Sequence, residues 1–271
     1  MAALLVATGF ALSLDLQPRS FIVLATTTSA RDSGLLDYLI PFFGRETGIG
    51  VRYTAVGTGQ ALDLGRRGDA DVVLVHAPSA ELAFMAEGQG LCRSPVMYNE
   101  FIVVGPPADP AGIDGLTNAT AAFTRILETR SLFLSRGDNS GTNIMEKTIW
   151  SWVGYTPSVG NDSWYEETGQ GMGATLDIAS QLQGYTLSDD GTFLVHAANL
   201  ALAIDVGHDP ALLNFYSVIP VSSVAHPYVF EAGALAFAQW LVSPTGQSLI
   251  GNYTIGGQQP FHPDGRDRCT T

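Results

Sequence analysis

Between positions 131 and 150 the chain reads SLFLSRGDNSGTNIMEKTIW: a short apolar run, a dense polar loop, then a pattern of helical period. Leu132 and Leu134 suit a buried strand, while Ile144, Thr148, Ile149 and Trp152 recur at roughly the spacing of one helix face. The loop between them is rich in donors. Ser135, Arg136, Ser140 and Thr142 bring hydroxyls and a guanidinium, and Gly137 and Gly141 let the backbone approach closely. The start of the following helix adds unpaired N–H groups and a partial positive charge. Together these groups can cradle an oxyanion.

Two loops in the first half have the same character. Thr26, Thr27, Thr28 and Ser29 follow one apolar run, and Gly57, Thr58, Gly59 and Gln60 follow another. If all three loops line one cleft, they supply hydroxyls, backbone N–H groups and one cation, Arg136. A tetrahedral dianion that carries no proton suits such a site, because it needs no acceptor. Each loop taken alone also suits plain helix capping, and Arg136 alone also suits a surface ion pair. Asp138 is placed either to orient the guanidinium or to cap the helix at Ser140. The three corresponding positions are what favour a ligand.

Other chemistries find no support. The five histidines lack metal-ligand spacing, so each reads as a core or solvated residue. GTGQAL at 57–62 and GQGMGA at 169–174 lack the full dinucleotide fingerprint, no G-x-x-x-x-G-K-[ST] occurs, and GDNSGT at 137–142 is not G-x-S-x-G. No enzyme activity and no cofactor are expected. Met172 reads as core.

The elements that must position these loops follow in order. Residues 21–25 form an apolar strand, and a helix from about Asp32 buries Leu35, Leu36, Leu39, Ile40 and Phe43, with Pro41 placed to kink it. Residues 51–56 and 71–76 alternate or run apolar as strands, each followed by a short helix. Three β-loop-α units in succession predict a parallel sheet with ligand loops at the strand ends. Residues 94–105 and 213–221 are long extended stretches that read as crossings between two lobes, with a second β/α series between them. The last helical region, about 228–251, packs back on the first lobe. The division is 20–99 with 218–271 for one lobe and 100–217 for the other.

The 271 residues, 46% hydrophobic and 14% charged, with mean hydropathy +0.17, describe a chain able to bury a large core. A formal charge of -13 argues against nucleic acid and against anionic membranes as partners. It does not oppose a buried anion site, because distant surface charge is screened beyond about 8–10 Å. Residues 2–14 (AALLVATGFALSL) have the length and small residues of an export signal but no basic start, so residues 1–19 read as a signal, its remnant, or a buried element. Asn118, Asn161 and Asn252 begin glycosylation sequons that matter only in a eukaryotic secretory route. Cys92 and Cys269 leave one disulfide or two free thiols; the export-like start and their placing at the two ends of one lobe motivate the disulfide.

Taken together, ATTTS at 25–29 with DSGLL at 32–36, AVGTGQAL at 55–62, RGDADV at 67–72, LVHAP at 74–78, PVMYN at 95–99, SRGD at 135–138 with SGT at 140–142, and GQGMGAT at 169–175 resemble the tungstate-binding proteins that serve tungstate ABC transporters. The resemblance runs from about Phe21 to Asp264. It implies a two-lobed α/β type II periplasmic-binding-protein fold, with two parallel-rich sheets joined by two extended crossings. It further implies that tungstate, or the similar oxyanion molybdate, is bound between the lobes and passed to an ABC permease. A secreted sensor or scavenger without a permease is the alternative. The implied contacts are Thr27, Thr28 and Ser29; Thr58 and Gly59; Ser135, Arg136, Ser140, Gly141 and Thr142; and Gly171. A monomer, exported to the periplasm or outside the cell, is expected. The chain departs from the family at Asn139 and at residues 143–145, and its tail at 267–271 looks added.

Overall fold

The computed structural model describes residues 20–269. The expected export signal at 1–19 lies outside the described residues. The chain opens with β1 (Phe21–Thr27), α1 (Thr28–Asp32), α2 (Leu35–Thr47), β2 (Gly50–Val56), α3 (Thr58–Arg66), β3 (Val72–Val75) and α4 (Pro78–Ala86). A 12-residue strand follows, β4 (Ser94–Gly105). Next come α5 (Ala119–Thr129), β5 (Phe133–Ser135), α6 (Gly141–Val153), β6 (Tyr165–Glu167), α7 (Met172–Leu182), β7 (Thr186–Asp189), α8 (Asp190–His196) and β8 (Ala203–Val206). The return runs through β9 (Leu213–Pro220), α9 (Glu231–Val242), α10 (Pro244–Asn252) and β10 (His262–Pro263).

β1 lies between β2 and β3 and is parallel to both, as β-loop-α units require. β9 then pairs antiparallel with β3 on one side and with β4 on the other. β4 is the strand that joins the lobes. Its residues 94–100 pair with β9, and its residues 101–105 pair with β7 and β8. The two expected sheets are therefore continuous through this crossing, and among the described residues parallel pairing is found in β2-β1-β3, in the small β5-β6 sheet and in an isolated bridge between Phe133 and Tyr185. An extended chain between lobes presents free N–H and C=O groups on both edges, and antiparallel neighbours satisfy them.

At β1 and β4 both faces of the sheet are covered, whereas the edge strand β2 leaves Arg52 and Thr54 exposed. In β1, Ile22 and Leu24 face one core with Leu36, Phe43 and Phe237, while Ala25 faces another with Leu62, Val73 and Phe84. In β4, Phe101 and Val103 join Phe123, Phe133 and Trp150 on one side; Ile102 and Val104 join Leu134, Leu176 and Met172 on the other. Sheets buried on both faces carry near-continuous apolar strands.

One difference from expectation bears on the site. The helix expected from about Asp32 is α2, and a further short helix, α1, precedes it at Thr28, where the Thr27 hydroxyl accepts from the Ala30 N–H at 3.3 Å and caps it. Gly34, at φ 75°, then turns the chain into α2. Thr28 and Ser29 thus stand in a first helical turn instead of a loose loop.

Candidate functional site

The three donor-rich segments meet across the cleft. Thr28 Oγ1 accepts from Arg136 Nη2 at 3.1 Å, tying the β1-α1 junction to the β5-α6 loop. Thr58 Oγ1 accepts from the Gly141 N–H at 3.1 Å, tying the start of α3 to the start of α6. The approach is close enough that a Cβ on Gly59 would lie 2.7 Å from Asn139 Nδ2, and one on Gly141 2.5 Å from His76 Cε1. Gly171, the N-cap of α7, lies against Thr28, where a Cβ would stand 3.6 Å from that side chain.

Within this junction the side chains divide by role. Ser140 caps α6 by accepting from the Asn143 N–H, and Thr27 caps α1. Of the two roles weighed for Asp138, it takes the first: Oδ2 accepts from Arg136 Nη2, while Oδ1 accepts at 3.1 Å from the N–H of Ser140, the residue that itself caps α6. The Ser135 hydroxyl is fully engaged, donating to Glu146 Oε2 at 2.6 Å and accepting from Gly137 N and Asn143 Nδ2. It braces the loop.

Three of the predicted residues present something different. Ser29 Oγ, Arg136 Nε and Thr142 Oγ1 are buried polar atoms without a hydrogen-bond partner, and their residues are at most 2% exposed. Ser29 lies near enough to Asp189 to favour its charged form, yet makes no hydrogen bond of good geometry with it. A buried donor left unmatched costs about 1–3 kcal/mol, so these atoms, with His76 Nε2 beside them in the same condition, are candidates to meet a ligand. Two hydroxyls and a guanidinium N–H suit an oxyanion and do not suit a cation.

Buried carboxylates fix this donor set. Glu146, on α6, accepts from Ser135, Asn143, Trp150 Nε1 at 3.2 Å and Tyr165 OH at 2.8 Å. Burial pushes its carboxyl up while those four donors pull it down. Asp189 is likewise raised by burial and lowered by the Thr192 donors and by the Arg136 charge.

Several residues here were missed by sequence reasoning. From Asp189 a buried polar chain crosses both connecting strands: Asn99 Nδ2 donates to Asp189 at 3.4 Å, Asn214 Nδ2 to Asn99 Oδ1 at 2.7 Å, and Asn214 Oδ1 faces His76 Nδ1 at 2.9 Å. His76 also stacks on Tyr216, with centroids 4.6 Å apart. Burial first, then the Arg136 charge, lowers His76 to about 4 against the opposing Asn214 bond, so it is neutral at neutral pH. The available signal was an asparagine in the interior of each extended apolar crossing, where asparagine is disfavoured without a partner. Met172 is fully buried, in keeping with a core role.

Residues 16–245 match the PBP superfamily domain. The tungstate-binding protein TupA of Peptoclostridium acidaminophilum is 48% identical over 239 residues, covering 88% of this chain and 82% of the relative. The solved TupA structure from Desulfovibrio alaskensis G20 superposes with a TM-score of 0.78 at 44% identity, covering 91% of this chain and 99% of that one. A structure titled the tungstate ABC transporter from Geobacter sulfurreducens gives 0.79 at 40%, covering 86% and 98%. The chain belongs to the PBP superfamily and, within it, to the family of the TupA tungstate-binding proteins.

Proposed function

We propose that this protein binds tungstate as an unprotonated dianion between its lobes and hands it to the permease of an ABC transporter, doing no chemistry on it. The observation that carries the reading is the set of three unmatched buried donors contributed by both lobes: Ser29 Oγ from one, Arg136 Nε and Thr142 Oγ1 from the other. Thr28, Thr58, Gly59, Gly141 and Gly171 shape the walls, and Thr27, Ser135 and Ser140 hold the backbone that carries them. The lobe division at about residues 99 and 217 places both cuts within the paired strands β4 and β9, where bending would open the cleft. The relatives named above support the ligand and the transporter. We place the protein outside the cytoplasm as a monomer; the Cys92–Cys269 disulfide suits an oxidising compartment. Among the described residues no helix is long and apolar enough to cross a membrane.

Calorimetric titration with tungstate, molybdate, sulfate and phosphate tests the reading. Size alone discriminates by only about 1–3 kcal/mol, so molybdate, which nearly matches tungstate in charge and shape, competes closely, while the smaller sulfate and phosphate bind about ten-fold or more weaker. Equal affinity for all four anions would refute a dedicated tungstate site.

A further inference from the structure

The disulfide and the C-terminal tail take no part in the cleft, yet the tail is firmly held. Asp264 and Arg266 donate backbone N–H bonds to Val96 and Pro95, Gly265 to Gln247, and Arg268 to the buried Ser94 hydroxyl at 3.0 Å. Cys269 then closes on Cys92, with Cα atoms 5.3 Å apart. Each cysteine has an arginine beside it in sequence, Arg93 and Arg268, so the cross-link brings two guanidiniums together. With Arg266 they line a cavity of about 340 Å³ that also presents Phe215, Ser217 and the carboxylate of Asp264.

Three cations in one cavity stand out in a chain of 13 Lys and Arg with a net charge of -13. The carboxylates of Glu81 and Asp264, the latter in the cavity lining itself, offset two of these charges, and the Arg268 charge is left to be met by an anion from solution. Their local partners do not use up their donors. Arg93 gives its Nε to the buried Glu81 at 2.7 Å, and Arg266 gives one Nη to Asp264 at 2.8 Å. Arg268 makes no side-chain hydrogen bond or ion pair among the described residues. Each guanidinium has five N–H donors in a fork that matches carboxylate and phosphate oxygens in pairs. Ser217 Oγ is a buried hydroxyl without a hydrogen bond of good geometry, although it lies near enough to Glu81 to favour that carboxylate. The cavity is at the small end of ligand pockets, about 300–1,000 Å³, and larger than one tetrahedral oxyanion needs.

We propose that the cavity formed by Arg93, Arg266 and Arg268 is a second anion site, separate from the cleft, that takes a compact polyanion bearing carboxylate or phosphate groups. The disulfide is what assembles it. Citrate and inorganic phosphate serve as probes, each titrated calorimetrically into the wild-type protein with and without saturating tungstate. The expected result is one saturable site for citrate, unaffected by tungstate, with affinity at least ten-fold lower in the Arg266→Ala/Arg268→Ala variant and unchanged in Arg136→Ala. Phosphate binding as tightly as citrate would identify the group recognised as a single oxyanion headgroup; weaker phosphate binding would identify a polycarboxylate. Tungstate affinity stays at the wild-type value in the double variant, which separates this proposal from the reading of the cleft. Absence of saturable binding by both probes, displacement by tungstate, or equal affinity in the double variant would overturn it.

Discussion

On the first lobe's side of the cleft, Thr27, Ser29 and Thr58 stand at helix starts, where the helices themselves need capping and their own first turns set the side-chain positions. On the second lobe's side, Arg136 is a charge held at 2% exposure, and its loop rests on Ser135, Asn143 and the fully buried Glu146. The first face costs little beyond ordinary secondary structure. The second requires burying a cation and a carboxylate, which persists only where hydrogen bonds and partners satisfy both. On the proposed reading the difference divides the roles: one lobe offers hydroxyls at helix starts, and the other a buried guanidinium that would fix where the anion sits.

Removing the support of the second face should have the largest effect. Glu146→Ala strands donors from Ser135, Asn143, Trp150 and Tyr165, and should lower unfolding free energy by about 3–5 kcal/mol in urea titration. Arg136→Ala should weaken tungstate binding by about 2–5 kcal/mol, roughly 30- to 4,000-fold, with Arg136→Lys recovering only part. Wild-type affinity in Arg136→Ala would mean that hydroxyls and backbone suffice. The pH profile comes next. His76 is lowered from 6.5 to about 4, so its contribution is present in full above pH 6.5 and is lost as pH falls toward 4, by about 3 kcal/mol in all. Buried Glu146 and Asp189, raised by burial, act in the opposite sense, so the slope is read as the difference between wild type and His76→Gln across pH 4–7. On the first face, Thr58→Ala removes one bond to Gly141 N and should cost only about 1 kcal/mol of tungstate affinity. A loss as large as that of Arg136→Ala would erase the contrast between the two faces.

The first face was largely readable in the sequence, because capping residues and apolar periodicity act locally. Thr27 and the order of the β/α units follow from short-range rules. On the second face the same rules reach Ser140 and the helix starting at Gly141, and the rest was readable only as a donor-rich string. Neither the occupation of Ser135 by Glu146, eleven residues away, nor the chain from Asp189 through Asn99 and Asn214 to His76 has a local signature. These contacts join strands that meet only after the crossings fold. The antiparallel surroundings of β4 were hidden for the same reason, since strand partners 82 to 124 residues away leave no periodicity.

The central claim is that donors from both lobes hold one anion, and anomalous diffraction at a tungsten absorption edge from tungstate-bound crystals tests it most directly. The account predicts a single strong tungsten peak in the cleft, with tungstate oxygens about 2.7–3.1 Å from Ser29 Oγ, Arg136 Nε and Thr142 Oγ1. A tungsten peak outside the cleft, or one contacted by a single lobe, would contradict it.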